Sequence, residues 1–288
     1  MGMGGNNALV ATLPQPGSIG TETRVSSDAG SEIDHKERVR SQFGSTAADY
    51  VSSPKHRAGA DLQRLVELAG CEPGDVALDI ATGGGHTALA MAQHVGQVVA
   101  SDLTPKMLEA ARGFIEEQGA TNVTFEIADA EQLPFEDRSF DIVSCRIAPH
   151  HFGDVQAFCN QVARVLKPGG RFVLMDSVSP DDDTLGAFIN ELEWRRDTTH
   201  VRSYSLNEWR SFIEHSGLTV EQHEFVEREH EYESWTARSR MTPEAKSGLD
   251  RFVLSQPDSV REFFGIRLEG DQILSFSDHK VLIKSTKR

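Results

Sequence analysis

Cysteine is scarce. Cys71, Cys145 and Cys159 are the only three in 288 residues, too scattered for a disulfide framework or a zinc cluster. They fit a reducing cytoplasm. Base is short as well. Lys and Arg total 29 against 44 Asp and Glu, a formal charge of −15. That balance argues against nucleic acid or an anionic membrane surface as main partner, because both select basic patches. No apolar run reaches the length of a membrane span, so no membrane insertion is expected. No basic residue precedes Arg24, so the charged start of a signal peptide is missing. Position 6 is Asn, where N-myristoylation wants Ser or Thr. Residues 1–33 are rich in Gly, Ser, Thr, Pro and Asn without a sustained period and are expected to be a disordered tail. No internal repeat is present.

What is there has the composition of a soluble globular protein, 38% hydrophobic and 25% charged. Length alone suggests roughly one to two domains. Leu62, Leu65, Val66 and Ala69 recur at helical spacing, and Gly70 ends that helix. Strand and helix signals then alternate. Val76–Ile80 is a short apolar strand, 86–95 an Ala-rich helix, 97–101 a second strand. A helix runs from Pro105 to about Gln118, with Thr104 as its N-cap signal. Strands are expected at 123–128, 140–145 and 171–175, with a helix over 155–166. Such alternation means a parallel sheet covered on both faces. Leu185, Phe188, Ile189 and Leu192 mark another helix, and 207–215 one more. Leu218 to about Tyr232 and Ile273 to Lys284 read as long strands, an antiparallel pair closing one edge.

Gly83-Gly84-Gly85 lies between the first strand and a helix. Glycine there lets backbone approach a ligand, and the helix start offers free N–H groups. The loop fits two patterns, Gly83-x-Gly85-x-x-Ala88 of the nicotinamide-dinucleotide type and Asp79-x-Ala81-x-Gly83-x-Gly85. A plain tight turn is the third possibility. Asp102, at the end of strand two, suits either ligand reading. Asp79, Asp102 and Asp129 all fall at carboxyl ends of strands, the ligand edge of an open α/β sheet.

Five elements in register carry a family resemblance: Leu78 to His86, Asp102, Asp129 to Phe135, Phe140-Asp141-Ile142-Val143, and Leu166-Lys167-Pro168-Gly169-Gly170. Together they resemble a class I S-adenosylmethionine-dependent methyltransferase of the ubiquinone/menaquinone-biosynthesis-like branch, over about residues 35–180. The resemblance implies an α/β, doubly wound, Rossmann-like and mostly parallel seven-stranded sheet with an antiparallel edge pair and a helical cap. The expected division is a tail (1–33), cap helices (34–70), a cofactor-binding core (71–180), a substrate-cap insertion (181–217) and C-terminal strands completing the sheet (218–288). Ala81 departs from the family's commonest pattern, which has glycine there; alanine is tolerable if that position does not need a positive φ.

The resemblance also implies a site. Ala81, Thr82, Gly83 and Gly85 would lie against the methionine part of S-adenosyl-L-methionine, with Asp79 orienting the loop. Asp102 would accept both ribose hydroxyls. Leu103 and Met107 would pack on adenine, with Asp129 and the Ala130 N–H at its edge. Arg146 would approach the methionine end. Tyr50 would close over the cofactor from the cap, a segment that also holds Ser53 and His56.

Methyl transfer needs alignment and a dry pocket, and a base only when the acceptor atom must lose a proton. His150 and His151 follow strand four and are the candidate bases, with His151 favoured. Trp194, Arg195 and His200 are candidate substrate contacts. His223, Glu227, His230 and Glu233 read as an acidic strand edge rather than a metal site. The expected partner is a small-molecule methyl acceptor. The competing functions are an NAD(P)-dependent oxidoreductase and a non-catalytic S-adenosylmethionine-binding protein.

Overall fold

A computed structural model describes residues 29–52 and 60–288. The first helix, α1 (Ala29–Ser52), begins earlier than the expected boundary at Asp34. After α2 (Ala60–Ala69), strand and helix alternate as β1 (Val76–Ile80), α3 (His86–Ala92), β2 (Gln97–Asp102), α4 (Pro105–Glu117) and β3 (Val123–Ile127). The alternation continues through β4 (Phe140–Arg146), α5 (Val155–Val165) and β5 (Leu166–Ser177). Strands β1, β2, β4 and β5 are buried over most of their length, as parallel strands covered on both faces must be. Helix α4 turns Met107, Leu108, Ala111, Phe114 and Ile115 inward, one stripe at helical spacing. Its cap differs from expectation. The Thr104 side chain makes no capping bond; the Thr104 N–H instead donates to Asp102 Oδ1 at 2.9 Å.

The chain continues through α6 (Asp183–Arg196), α7 (Leu206–His215) and the long β6 (Leu218–Glu231), and closes with β8 (Gln272–Lys287). The sheet order is β3-β2-β1-β4-β5-β8-β6, with short β7 (Arg267–Glu269) paired to β8. Strands β1 to β5 are parallel, and β8 is antiparallel to both β5 and β6. Seven strands thus form the main path and β7 makes an eighth. The chain leaves β1 toward β2 and β3, then returns to lay β4 on the other side of β1. That reversal opens a crevice at the carboxyl ends of β1 and β4.

The stretch 218–288 is not strands alone. Between β6 and β7 lie α8 (Tyr232–Ala237), α9 (Pro243–Leu254) and α10 (Asp258–Phe263). With α6 they bury a separate apolar cluster, including Phe188, Leu192, Trp235, Val253, Phe264 and Phe276. These helices are short and depend on that shared core, so their individual sequence signals are weak. Pairing of β5 with β8 stops at Ser177 and Lys280, whereas β6 and β8 stay paired out to Glu231 and Ser275. The two long strands therefore overhang the ligand edge of the sheet as a two-stranded ribbon, carrying the helical cluster with them.

Candidate active site

A cavity of about 670 Å³ opens at this edge, within the range of small-molecule sites. It is lined from three sides: the strand-end loops, α1, and the β6/β8 ribbon with its helices.

The loop after β1 forms one end. Asp79 is fully buried, accepting from the Thr82 hydroxyl at 2.6 Å and the Ser144 hydroxyl at 2.7 Å. Burial pushes its carboxyl up to about 6, against the pull of those two bonds. Asp79 thus holds the loop from beneath. Ala81 has φ +52°. The position does adopt the left-handed region, so the condition for tolerating alanine without strain is not met. Ala81→Gly is expected to stabilise the protein by about 1 kcal/mol. In a thermal melt this should appear as a rise of about 2–4 °C; an unchanged or lower midpoint would count against strain at this residue.

Gly83 and Gly85 also have positive φ, but their roles differ. Gly83 lines the cavity and donates its N–H to Asp102 Oδ2 at 3.0 Å. Gly85 does not line it. A Cβ there would stand 2.8 Å from Ile115 Cδ1 and 3.1 Å from Ala111 Cβ. Gly85 lets the loop press onto α4 rather than onto a ligand.

Asp102 holds one backbone donor on each carboxylate oxygen, Gly83 N–H and Thr104 N–H. Burial raises its pKa. Each oxygen keeps lone-pair capacity beyond that one bond, which suits a vicinal diol. Leu103, Met107, Ala130 and Asp129 line the same end. Asp129 Oδ2 pairs with Lys36 of α1 at 2.8 Å, and Lys36 also reaches Glu131 at 2.7 Å. Gln42 of α1 donates to Asp197 at 2.7 Å. The first helix is therefore tied down over the cavity by polar contacts that include Lys36 and Gln42. The Tyr50 side chain, Ser53 and His56 lie outside the described residues.

Arg146 lines the cavity and is 5% exposed at its side chain. Its guanidinium and that of Arg228 both donate to Asp61 Oδ2, at 2.8 and 3.0 Å. Burial raises the Asp61 carboxyl, but the two arginines pull it below the ordinary value. Among the described residues the buried Arg146 Nε has no hydrogen-bond partner. A donor of that kind, beside a loop that can admit a ligand, suits a carboxylate group.

The two histidines occupy a 3₁₀ turn, Pro149–His151. Both line the cavity, with ring centroids 4.2 Å apart, but their surroundings separate them. His150 Nδ1 lies 2.6 Å from Oδ1 of Asp176, a carboxylate with no exposure. A carboxylate can only accept, so Nδ1 carries the proton and Nε2 is the basic atom. Burial lowers the His150 pKa, but Asp176 outweighs it and the net shift is upward. His151 Nδ1 donates to the Thr199 carbonyl at 2.9 Å. Burial and the neighbouring His150 bring it down to about 4. His150, not the favoured His151, is therefore the stronger base. His151 serves the cap instead: its carbonyl accepts from His35 Nε2 at 2.8 Å, and Phe43 packs edge-on against its ring.

Of the expected substrate contacts, His200 lines the cavity, with Nε2 3.1 Å from Asn190 Oδ1. Trp194 and Arg195 do not. Trp194 is 37% exposed, and Arg195 pairs with Glu191 and covers the Phe252 ring. The turn of α6 sends their neighbours Glu193 and Arg196 inward instead. His230, read as strand edge, is 6% exposed and lines the cavity with Asp278 and Lys280. Sequence reasoning missed Asp278 and Lys280 altogether, since nothing in their local pattern marks strands that overhang the site.

The methyltransferase domain family matches residues 78–174. The uncharacterized methyltransferase YcgJ of Bacillus subtilis is 37% identical over 85% of this chain and 98% of its own length. The crystal structure of YcgJ aligns with a TM-score of 0.77, covering 79% of this chain and 97% of that one. The ubiquinone/menaquinone biosynthesis C-methyltransferase UbiE of Teredinibacter turnerae is 35% identical over 53% of this chain and 64% of its own length. This membership sets the nicotinamide alternative aside. With the Asp102 carboxylate and the glycine loop at the ligand edge, the chain belongs to the class I S-adenosylmethionine-dependent methyltransferases of the UbiE-like type.

Proposed function

We propose that this methyltransferase acts on a small-molecule acceptor whose reacting atom gives up a proton to His150. The observation that carries the reading is the His150–Asp176 pair, set in the same cavity as the glycine loop. A buried carboxylate on Nδ1 fixes the imidazole's tautomer and stabilises its protonated form, leaving Nε2 to take a proton. His151, brought down to about 4, is a poor base at neutral pH.

S-adenosylmethionine, when bound, supplies an electrophilic methyl carbon. The chain's own residues bind and align. Asp102 would accept from the ribose hydroxyls, while Leu103 and Met107 would pack on adenine beside Asp129 and Ala130. Asp79 and Thr82 keep the loop in shape, and Arg146 with Arg228 would hold the methionine carboxylate. Tyr50 belongs to this proposal through the resemblance alone. α1, held through Lys36 and Gln42, keeps water from the reacting atoms. The acceptor is small because the same cavity must hold it together with the cofactor. The free thiols Cys71, Cys145 and Cys159 favour the cytoplasm, and no described helix is long and apolar enough to cross a membrane.

The test is transfer of a labelled methyl group into a metabolite extract. Label in the low-molecular-weight fraction is expected. Label only in protein or nucleic acid would overturn the small-molecule reading. Cofactor binding with no transfer to any acceptor would favour a non-catalytic binder.

A further inference from the structure

We propose that the overhanging ribbon carries a second binding subsite, built from His230, Asp278 and Lys280, which takes an anionic carboxylate group of the methyl acceptor. The proposal rests on the function proposed above and adds the acceptor's chemical class.

Residues two apart on a strand share a face. Arg228 and His230 on β6 therefore share a face, as do Asp278 and Lys280 on β8, and Arg228 is in register with Asp278. All four line the cavity. Lys280 is 5% exposed, Asp278 3% and His230 6%, an unusual depth for ionisable groups. Lys280 Nζ donates to Asp278 Oδ2 at 2.8 Å and to the Ser177 hydroxyl at 2.7 Å. An ammonium has three protons, so one donor position of Lys280 is not used by these bonds. His230 stacks on Phe276, with ring centroids 5.0 Å apart. Its Nε2 pairs with Asp278 Oδ1 at 3.1 Å, while among the described residues Nδ1 has no hydrogen-bond partner. A buried ring nitrogen without a partner is costly unless something binds there.

The sign of that something follows from the charges. Asp61 and Asp278 are shared among Arg146, Arg228 and Lys280. Lys280, with a donor position to spare, is the cation that this face brings to the cavity, in a place where charge is poorly screened. The Lys280 charge reaches His150 and His200, opposing protonation of both, so this end and the base occupy one chamber. Trp235 lines the same end and packs edge-on against Phe276 at 4.7 Å, adding an apolar wall beside the donors. A planar organic carboxylate fits such a combination. With its anionic end at Lys280 and His230, the rest of the molecule extends toward His150.

The test is calorimetric titration of the full chain, loaded with S-adenosylhomocysteine, with benzoate, benzamide and benzylamine. These probes share a ring and differ in the charge of the head group. Benzoate is expected to bind in the millimolar range, at least about tenfold tighter than the other two. Removing Lys280 alone would strand Asp278 as an unpaired buried charge, so the variant is the double change Asp278→Asn, Lys280→Met. It is expected to abolish the preference for benzoate while leaving S-adenosylhomocysteine binding unchanged. His230→Phe keeps the stacking on Phe276 and is expected to weaken benzoate severalfold; it decides the matter if the double variant does not fold. Equal binding of benzamide or benzylamine would overturn the proposal. So would absent benzoate binding in protein that binds S-adenosylhomocysteine, or a preference that survives in a folded variant. If S-adenosylhomocysteine itself fails to bind, the cofactor reading falls, and the head-group preference of the unloaded chain still decides the subsite.

Discussion

Replacing Asp102 by Ala is expected to weaken S-adenosylhomocysteine binding by about 100-fold or more. The side chain is 8% exposed at the end of β2, and each carboxylate oxygen holds one backbone N–H. That arrangement fixes the carboxylate before any ligand arrives and leaves acceptor capacity for two hydroxyls. A hydrogen bond to a charged group contributes about 1.5–3 kcal/mol, and each 1.4 kcal/mol is about tenfold in affinity. Two such bonds therefore account for a loss of this size. The variant also deprives Gly83 and Thr104 of their acceptor, so a thermal melt must accompany equilibrium dialysis. Asp102→Asn is the companion, since it keeps the shape and removes the charge. Near-native affinity in a folded Asp102→Ala protein would take Asp102 out of the site. A pH consequence follows. Burial raises the Asp102 pKa, and the ionised form is the better acceptor. Affinity should therefore fall, as pH is lowered, sooner than for an ordinary carboxylate.

His150→Gln is expected to lower kcat by about 10²–10⁴ while leaving S-adenosylhomocysteine affinity unchanged. Only the neutral imidazole can accept a proton. Asp176 raises the His150 pKa above its ordinary value despite burial, so the rate should climb with pH through that raised value. Asp176→Asn removes the stabilising charge. The rising limb should then move to lower pH, with a slower maximal rate. The stability consequence has the opposite sense. A histidine whose folded pKa is raised stabilises the fold below its unfolded pKa, and that contribution fades as pH rises through the folded value. Both variants are assayed with the acceptor found by the labelled-methyl screen. A pH profile identical to wild type in both would exclude the pair from proton transfer, and loss of cofactor affinity would point to a binding role instead.

That Asp79, Asp102 and Asp129 line one cavity at the sheet edge is legible in the sequence because these residues are local to strand ends. Asp79, Asp102 and Asp129 each close a short apolar run, and the chain order of a parallel sheet brings such ends to one edge. Gly83 was readable for the same reason. Gly85 does not line the cavity, and only the packing of α4 shows Ile115 and Ala111 where its side chain would be. The choice between His150 and His151 could not be made from adjacency. It turns on Asp176, at the end of β5, and on the Thr199 carbonyl. Trp194 and Arg195 were misplaced for a related reason. A helix's apolar stripe shows which side meets the core, but not where a cavity lies along its flanks, and it is Glu193 and Arg196 that turn inward.

By itself the sequence determined the parallel core, the strand-end acids and the glycine loop, because short apolar strands, strand-to-helix turns and their flanking acids are local patterns. It also excluded a disulfide scaffold through its three cysteines, which remain free thiols. Only the tertiary structure decided which groups share the acceptor end. His150 meets Asp176 26 residues away, and Arg228 and His230 face Asp278 and Lys280 only because β6 and β8 pair beyond the end of β5. Those meetings depend on the register of strands far apart in the chain, and register is set by long-range pairing that no local pattern contains.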